Sequence, residues 1–374
     1  MRATTLPGGP ASRRSRRSPS RTWLTSLLVI LFLVTPGSLT AAQAAQPPTT
    51  LKVMTRNLYW GADLTPVFTA PSQGELLTRV DAAFKNVQAT NFPERAEALA
   101  DEIAGTDPHL VGLQEVALWR SGAFDMSTTP NADHVEYDFL QILLRELAER
   151  GTHYEAVVSL TTGDYEAPRV TSSGLQDIRL TDREVLLART DLPANVFSVT
   201  HADKALFDAH VSVPNPVNSQ LPGINVLHGW VSVDATVRGR TTHVVSTHLE
   251  NLSVGVQQAQ ARELLEGPLD TGLPSVLLGD LNAAPDSSTY RILVPPFTDA
   301  WAATRRNNPG HTCCQDANLR NTESRLTQRL DYVLFRGGFT ASVANRVGED
   351  PADRIPSGLW PSDHAGVWST LHLR

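Results

Sequence analysis

Residues 275–282 read Ser-Val-Leu-Leu-Gly-Asp-Leu-Asn, an apolar run that ends in a polar turn. The run predicts a strand, and the glycine, acid and amide that follow are turn-forming residue types. On its own, Gly279-Asp280-Leu281-Asn282 is an ordinary turn signal. It becomes informative because the same arrangement, a strand-like run with a polar cluster at its end, recurs along the chain.

Further polar clusters stand at the ends of apolar runs in the same way. They are Arg56-Asn57, Gln114-Glu115, Thr247-His248, Leu330-Asp331-Tyr332 and Ser362-Asp363-His364. Because loops at sheet edges carry functional groups, these clusters could converge on one cleft. Each cluster alone is more often structural, but together they supply carboxylates for a hard divalent cation, amides for a phosphate and two histidines for proton transfer. This combination is typical of a metal-dependent phosphoester hydrolase.

The first 44 residues have the features of a secretory signal peptide. Five arginines between Arg13 and Arg21 precede an apolar stretch of 12 residues, Trp23 to Val34, and Ala42-Gln43-Ala44 offers a small-x-small cleavage site. A membrane-spanning helix needs about 20 apolar residues, so a retained anchor is the weaker alternative. The sequence leaves open whether export uses the general or the twin-arginine route. We expect residues 1–44 to be removed and residues 45–374 to form one secreted domain.

The expected mature chain is strongly acidic. Removing six arginines from the 32 basic residues leaves 26 against 39 acidic residues, a formal charge of about −13. Such a surface repels phosphate backbones at long range, so nucleic-acid binding would depend on a local basic patch and on metal ions. The candidates for a cationic strip are Arg56, Arg120 and Arg183.

Strand-like runs alternate with amphipathic helices, which indicates a mixed α/β fold. Pro93 is expected to open a helix that Gly105 closes, with an apolar stripe at Ala96, Leu99, Ala100 and Ile103. The remaining predictions are helices near residues 135–150 and 254–265, a hairpin over 225–247, and loops at 116–134, 161–180 and 201–223.

The two cysteines, Cys313 and Cys314, are adjacent. Neighbouring Cα atoms lie about 3.8 Å apart, below the usual disulfide range of about 4.4–6.8 Å, so two free thiols are favoured over a vicinal disulfide. Two sulfurs alone do not complete a tetrahedral soft-metal site, which makes that role the least favoured.

In their order, the motifs resemble those of the endonuclease/exonuclease/phosphatase superfamily, which includes deoxyribonuclease I, abasic-site endonucleases, bacterial sphingomyelinases and inositol polyphosphate phosphatases. The resemblance extends over residues 51–374. It implies a four-layer α/β sandwich of two packed mixed β-sheets flanked by helices, with the site at the upper edge of the sheets. The set of ordered motifs is highly specific for the superfamily but gives almost no information about the substrate.

The resemblance also implies which residues hold a metal. Glu115 resembles the principal ligand of Mg²⁺, with Mn²⁺ or Ca²⁺ as alternatives, and Asn57 and Asp363 resemble its helpers. Asp280, which could bind the metal or a water molecule, and Asn282 would position the nucleophilic water and the phosphate.

Proton transfer is implied for two histidines. His364 resembles the general base, oriented and made more basic by Asp331. His248 resembles a second histidine that donates to a phosphate oxygen or to the leaving group. In the deoxyribonuclease I branch this histidine has a glutamate partner on a strand, and Glu184 in the segment 182–187 resembles that partner.

Two substrate classes follow for a monomeric phosphodiesterase without a stable membrane span. A secreted deoxyribonuclease I-like nuclease is favoured by the strand that carries Glu184. A phospholipase C or sphingomyelinase-like enzyme acting on phospholipid head groups is favoured by the acidic surface and by Trp60, Trp119 and Trp360, which follow or precede motifs in loops. The alternative for these tryptophans is core packing. A non-catalytic binding module and a phosphatase for inositol phosphates are less favoured, the latter because no Lys/Arg cluster is present.

Overall fold

A computed structural model describes residues 49–126, 129–215 and 223–373, so the expected signal peptide lies outside the described residues. Within that part of the chain, no helix is long and apolar enough to span a membrane.

In chain order, the strands are β1 (Thr49–Asn57), β2 (Leu110–Gln114), β3 (Leu118–Ala123), β4 (His134–Asp138), β5 (Tyr154–Thr171), β6 (Gly174–Arg189), β7 (Phe197–Leu206), β8 (Val211–Val213), β9 (Ile224–Val226), β10 (Gly229–Val237), β11 (Arg240–His248), β12 (Ser275–Asp280), β13 (Thr298–Asp299), β14 (Asp331–Arg336), β15 (Phe339–Val347) and β16 (Gly366–Leu373).

The helices are short to medium in length and fall between these strands. They are α1 (Thr65–Phe68), α2 (Gln73–Ala89), α3 (Phe92–Thr106), α4 (Phe139–Glu149), α5 (Val254–Glu266), α6 (Ser288–Leu293), α7 (Ala300–Thr304) and one 3₁₀ turn, Pro351–Asp353.

Two mixed sheets organise the fold. The first has the strand order β15-β16-β1-β2-β6-β3-β4, with β5 paired to β6, and the second has the order β13-β14-β12-β11-β10-β7. The pairs β1–β2 and β11–β12 are parallel, whereas their other neighbours are antiparallel. Strands β8 and β9 form a separate small ribbon.

Three apolar clusters separate four layers. Val53 and Leu186 of the first sheet pack with Val233 and Leu278 of the second in the cluster between the sheets. On the outer face of the first sheet, α2, α3 and α4 contribute to a second cluster, and α5 and α6 cover the outer face of the second sheet in a third. The expected four-layer α/β sandwich is therefore confirmed.

Helix α3 follows its predicted apolar stripe. Pro93 lies in its first turn, and Ala96, Leu99, Ala100 and Ile103 are buried. The helix passes Gly105 and ends at Thr106, where the backbone of Asp107, with φ of 53°, donates its N–H to the Ile103 carbonyl at 2.8 Å. The predicted stop at Gly105 was one residue early because the left-handed capping residue is an aspartate.

The helix predicted near residues 135–150 is present but begins four residues later than expected. Residues His134–Asp138 form the edge strand β4, and the helix starts only at Phe139, where the Asp138 side chain accepts the N–H of Gln141 at 3.4 Å. The predicted loop over 161–180 was wrong, because it lies in the long β5–β6 hairpin. Pairing with β3 and contact with α2 support this hairpin, and neither is visible in local composition. The helix predicted near 254–265 and the turn at Arg238-Gly239 are confirmed.

Candidate active site

Strand register brings the predicted motifs to one edge of the two sheets. At the ends of the parallel strands β1 and β2, Asn57 lies opposite Gln114. At the ends of β11 and β12, His248 lies opposite Asp280, which in turn lies opposite Asp331 at the start of β14. The convergence follows directly from the ladder pairing, because the motif residues occupy the last or first positions of neighbouring strands.

The turn after β12 has a backbone that sets the direction of Asp280. Gly279 has φ of 148°, and a Cβ there would lie 2.0 Å from the Thr247 carbonyl oxygen, so only glycine fits. The Asn282 N–H donates to Asp280 Oδ1 at 2.9 Å, and the Asn282 side-chain amide donates to the Leu249 carbonyl at 2.8 Å. The carboxylate and the amide are thereby held on the same turn, as the motif predicts.

Asn57 links two of the expected metal-binding carboxylates. Its Nδ2 donates to Glu115 Oε1 at 2.9 Å and to Asp280 Oδ2 at 3.2 Å. Its Oδ1 accepts the N–H of Tyr59 at 2.9 Å, and Glu115 Oε2 accepts the N–H of Trp60 at 2.9 Å. The amide nitrogen, not the oxygen, therefore faces the carboxylates, and a ligand role for Asn57 stays a prediction.

The donor set fits a hard divalent cation. Burial, followed by repulsion from Asp363, raises the pKa of Glu115 to about 8. Burial also raises the pKa of Asp280 and of Asp363. A bound cation would stabilise the ionised forms of these buried and half-buried carboxylates, and oxygen donors are what Mg²⁺, Mn²⁺ or Ca²⁺ require.

His364 and Asp331 form the closest ionisable pair of the site. His364 Nδ1 lies 2.8 Å from Asp331 Oδ2 and 3.7 Å from Asp280 Oδ2. Burial alone would lower the pKa of His364, but the carboxylates of Asp331, Asp280 and Asp363 together raise it well above its usual value. These carboxylates favour the imidazolium form. A cation that offsets the charge of Asp280 and Asp363 would favour the neutral ring, whose Nε2 could then take a proton from a water molecule while Nδ1 stays on Asp331.

His248 and Glu184 form a second, looser pair. His248 Nδ1 lies 3.6 Å from Glu184 Oε1, and its Nε2 lies 3.6 Å from Asp280 Oδ2. Burial raises the pKa of Glu184 well above its usual value and lowers that of His248 to about 4. His248 is therefore neutral near pH 7, and its one N–H can donate to a phosphate or leaving-group oxygen. The structure thus places Glu184 beside His248, and its role as the partner of that histidine stays a prediction.

A further buried pair adjoins His248 and was missed by sequence reasoning. The ring of His228 lies 5.2 Å from that of His248, centroid to centroid, and His228 Nε2 lies 3.7 Å from Glu250 Oε2. Both of these atoms lack a hydrogen-bond partner, and burial lowers the pKa of His228 well below its usual value. A lone histidine in a loop carries no sequence signal for this position.

Arg95 was also missed. Although fully buried on α3, its guanidinium donates to the carbonyls of Leu58, Tyr59, Thr90 and Pro361 at 2.7–3.1 Å. It thereby ties the segment after Asn57 to the segment before Ser362. The sequence did contain a signal for this role, because Arg95 is a charged residue on the apolar stripe of α3, four residues before Leu99.

The predicted cationic strip was wrong. Arg56 is fully buried and pairs with Glu102 at 2.8 Å. The side chains of Arg120 and Arg183 are largely buried and pair with Asp164 at 3.5 Å and with Asp138 at 2.7 Å. These guanidiniums hold strands and loops together, so they are not free to contact a polyanion.

The tryptophans expected at the surface are mostly packing residues. Trp360 is fully buried and donates to the Asn321 carbonyl at 2.8 Å, and Trp119 is buried and donates to the Trp60 carbonyl at 2.9 Å. Only Trp60 is partly exposed. The exposed apolar residues near the site are instead Leu252, which lines the pocket, and Val254.

Most of the predicted site residues line a pocket of about 380 Å³; they are Glu115, His248, Asp280, Asn282, Asp363 and His364. Among the described residues that form its wall there is no lysine or arginine. Its apolar part includes Leu64, Phe68, Val213, Val226 and Leu252. A smaller apolar cavity of about 60 Å³ shares Leu64 and Phe68 with it.

The cysteine prediction was wrong in its favoured form. Cys313 and Cys314 are joined by a disulfide, which was the alternative to two free thiols. Both line the pocket, and Cys314 Sγ lies 3.8 Å from His364 Nε2.

A sequence profile described as the endonuclease/exonuclease/phosphatase family matches residues 57–364. The chain belongs to this family. The predicted family resemblance is thus confirmed, and the fold is that of phosphoester hydrolases, which are typically dependent on a divalent metal. No curated protein sequence gives a significant match.

Solved structures from the family share the fold at low sequence identity. A family member from Bacteroides thetaiotaomicron is 15% identical with a TM-score of 0.53, covering 88% of this chain and 99% of that one. One from Bacteroides vulgatus is 15% identical with a TM-score of 0.52, covering 87% and 100%. A mannosyl-6-phosphatase from B. thetaiotaomicron is 15% identical with a TM-score of 0.51, covering 86% and 99%. At this identity the similarity establishes the fold alone.

Proposed function

We propose that the chain is a divalent-metal-dependent phosphodiesterase. The observation that carries the proposal is the His364–Asp331 pair at 2.8 Å, next to Asp280 and the Glu115 carboxylate on one sheet edge. A phosphodiester is an anion that repels hydroxide, so hydrolysis needs charge neutralisation, a base for water and a donor for the departing oxygen. The site contains a candidate for each requirement.

The chain's own residues divide the work as follows. His364 Nε2 accepts a proton from water while Asp331 stabilises the imidazolium through Nδ1. Asp280 and Asn282 orient water and phosphate from the turn after β12. Neutral His248 donates to a phosphate or leaving-group oxygen. A divalent cation held by Glu115 and Asp363 would supply Lewis-acid neutralisation of the phosphate.

A direct assay tests the proposal. Purified mature protein is incubated with bis-p-nitrophenyl phosphate in the presence of Mg²⁺, Mn²⁺, Ca²⁺ or excess chelator. We expect hydrolysis with at least one cation and none with chelator, because the carboxylates repel phosphate unless a cation separates them. Full activity in chelator, or no hydrolysis with any of the three cations, would refute a metal-dependent phosphodiesterase.

The pocket wall favours a phospholipid head group as the substrate. Among the residues that the structure describes, the wall has no lysine or arginine for a polyanion, and its apolar side adjoins an apolar cavity through Leu64 and Phe68. A zwitterionic head group with a hydrocarbon substituent matches this wall in charge and polarity. Leu252 and Val254, both more than half exposed, would meet a bilayer beside the pocket.

A deoxyribonuclease I-like nuclease is the second candidate. The observation in its favour is the buried Glu184 at 3.6 Å from His248, the pairing that resembles this branch. DNA affinity would then rest on the bound metal and on groups other than the three paired arginines.

We further propose that the enzyme is exported and acts as an extracellular monomer. The basic, apolar and small-residue segments of residues 1–44 support export. Mass analysis of protein from culture medium should show a mature N-terminus near Ala45, whereas a full-length membrane-bound product would refute it. Light scattering of the purified protein tests the oligomeric state.

A further inference from the structure

The disulfide-bonded cysteines share one wall of the pocket with the proposed general base. Both sulfurs and a ring nitrogen of His364 lie within 4.8 Å of one another, and Cys314 Sγ lies 3.8 Å from His364 Nε2. Cys314 is exposed, and Cys313, although buried, also lines the pocket. Because Nδ1 of His364 is bound to Asp331, its Nε2 is the nitrogen free to coordinate.

Backbone pairing holds the two segments together independently of the sulfurs. The N–H of Ala365 donates to the Thr312 carbonyl, and the N–H of Gln315 donates to the Asp363 carbonyl, each at 2.8 Å. On the other side, the N–H of Cys313 donates to the Gln328 carbonyl at 3.0 Å. These bonds keep the cysteines beside His364 when the sulfurs are no longer joined.

We propose that reduction of the Cys313–Cys314 disulfide creates an inhibitory site for a thiophilic divalent cation, with both sulfurs and His364 Nε2 as its protein ligands. A dithiol supplies the two electrons and two protons that convert the disulfide into two thiols, and is itself oxidised to a cyclic disulfide. The cation then displaces the two thiol protons. Once the S–S bond is broken, the two side chains must rotate apart so that both sulfurs can form Zn–S bonds of about 2.3 Å beside a Zn–N bond of about 2.0–2.1 Å.

This site differs in chemistry from the carboxylate site. Two thiolates and an imidazole select soft or borderline cations, whereas Glu115, Asp280 and Asp363 select hard ones. Coordination through Nε2 removes the atom that is proposed to accept a proton from water, so activity is lost even when Mg²⁺ is abundant. The inhibition rests on the proposed function, but the binding does not.

The probe is Cd²⁺, because cadmium–thiolate bonds absorb in the ultraviolet. Oxidised and dithiol-reduced mature protein, freed of excess dithiol, are titrated with Cd²⁺ in excess Mg²⁺, with hydrolysis of bis-p-nitrophenyl phosphate followed in parallel. We expect one equivalent to produce the absorption band and to abolish activity in the reduced protein only. No band in reduced protein that retains its circular dichroism, or equal inhibition of the oxidised protein, would overturn the proposal.

Variants separate the ligands. Cys314→Ser should show a weaker cadmium–thiolate band and no inhibition by one equivalent of Cd²⁺. His364→Ala should keep the thiolate band but bind Cd²⁺ at least about tenfold more weakly. Reduction could unfold the protein, and Cys313→Ala provides a test that needs no reductant. This variant has one free thiol beside His364, so it should still be inhibited, but at a higher Cd²⁺ concentration. Unchanged Cd²⁺ affinity in His364→Ala would remove the imidazole from the site. A band in a protein without phosphodiesterase activity would refute the proposed function and leave the binding site standing.

Discussion

Oδ2 of Asp331 lies 2.8 Å from Nδ1 of His364, although 33 positions separate the two residues in the chain. Asp331 is the first residue of β14 and is fixed by its ladder partner Asp280, whereas His364 lies in the segment before β16. Arg56 of β1, in the first sheet, donates to the His364 carbonyl, whereas Asp331 belongs to the second sheet. His364 is therefore held from both sheets. A base so constrained is pre-organised for one proton-transfer direction.

The first prediction concerns this pair. Asp331→Asn should lower kcat by at least about 10²-fold, as should His364→Ala, because general-base catalysis is typically of that size. The double variant should be little worse than either single one, since both remove the same function. Steady-state kinetics on bis-p-nitrophenyl phosphate measures this, with the exposed Asp286→Asn as the matched control. Near-normal turnover in either single variant would remove the pair from the mechanism.

The second prediction links metal binding to stability and pH. The pKa of Glu115 is raised from an ordinary 4.5 to about 8, so between these values the folded state binds more protons and loses stability as pH rises. The lowered pKa of His248, about 4, acts oppositely but only below its ordinary 6.5. From pH 6.5 to 8, the melting temperature of metal-free protein should therefore fall.

Mg²⁺ should reverse that fall, contributing about 2.7 kcal/mol at a concentration 100 times its Kd. The stabilisation should grow with pH, because the cation binds the ionised carboxylates. Glu115→Gln should flatten the pH dependence of the metal-free protein and reduce the Mg²⁺ effect. Differential scanning calorimetry at pH 6.5 and 8 tests this, and a Mg²⁺ shift that is unchanged in Glu115→Gln would place the cation elsewhere.

Much of the site was predictable because its residues stand at strand ends. Asp280, His248 and Asn57 each close an apolar run, and strand ends of one sheet meet at its edges. Glu184 was found only through the resemblance, because it lies in the middle of β6, where local pattern gives no hint of a function.

Residues defined by tertiary contacts were not predictable. Arg56, Arg120 and Arg183 were interpreted as free cations, yet the acidic partner of each lies 44 to 46 positions away in the chain. Trp119 and Trp360 read as loop aromatics because the chain around them has no periodicity, but their indoles are covered by elements distant in sequence. The alternation of strands and amphipathic helices predicted only a mixed α/β fold, and the four-layer sandwich was implied by the family resemblance of the ordered motifs.

The third prediction concerns Arg95. Arg95→Met should lower the free energy of unfolding by at least about 3 kcal/mol, because it leaves several buried carbonyls without their charged donor. The matched control is Arg145→Met, an exposed residue whose ion pairs should contribute about 0–1 kcal/mol. Urea denaturation of both variants measures the difference. A loss in Arg95→Met no larger than in the control would contradict the proposed tie between the two loops.

The fourth prediction addresses the nuclease candidate. If DNA is the substrate of a chain with a charge of about −13, affinity depends on few cationic contacts, and cleavage should fall steeply as salt rises to physiological levels. Plasmid cleavage with Mg²⁺ at graded salt concentrations measures this. Absence of cleavage even at low salt, with bis-p-nitrophenyl phosphate still hydrolysed, would eliminate the nuclease.

The last prediction addresses the lipid candidate. Leu252→Ser and Val254→Ser should reduce hydrolysis of sphingomyelin or phosphatidylcholine in vesicles but leave a soluble phosphodiester unaffected, because an exposed apolar side chain contributes docking and no chemistry. The matched control is Val135→Ser, which is equally exposed on β4 and does not line the pocket. Salt should have little effect, since docking on a zwitterionic bilayer is driven by apolar burial. If all three variants lose vesicle hydrolysis equally, Leu252 and Val254 have no specific role in docking. If neither lipid is hydrolysed, the lipid candidate is eliminated.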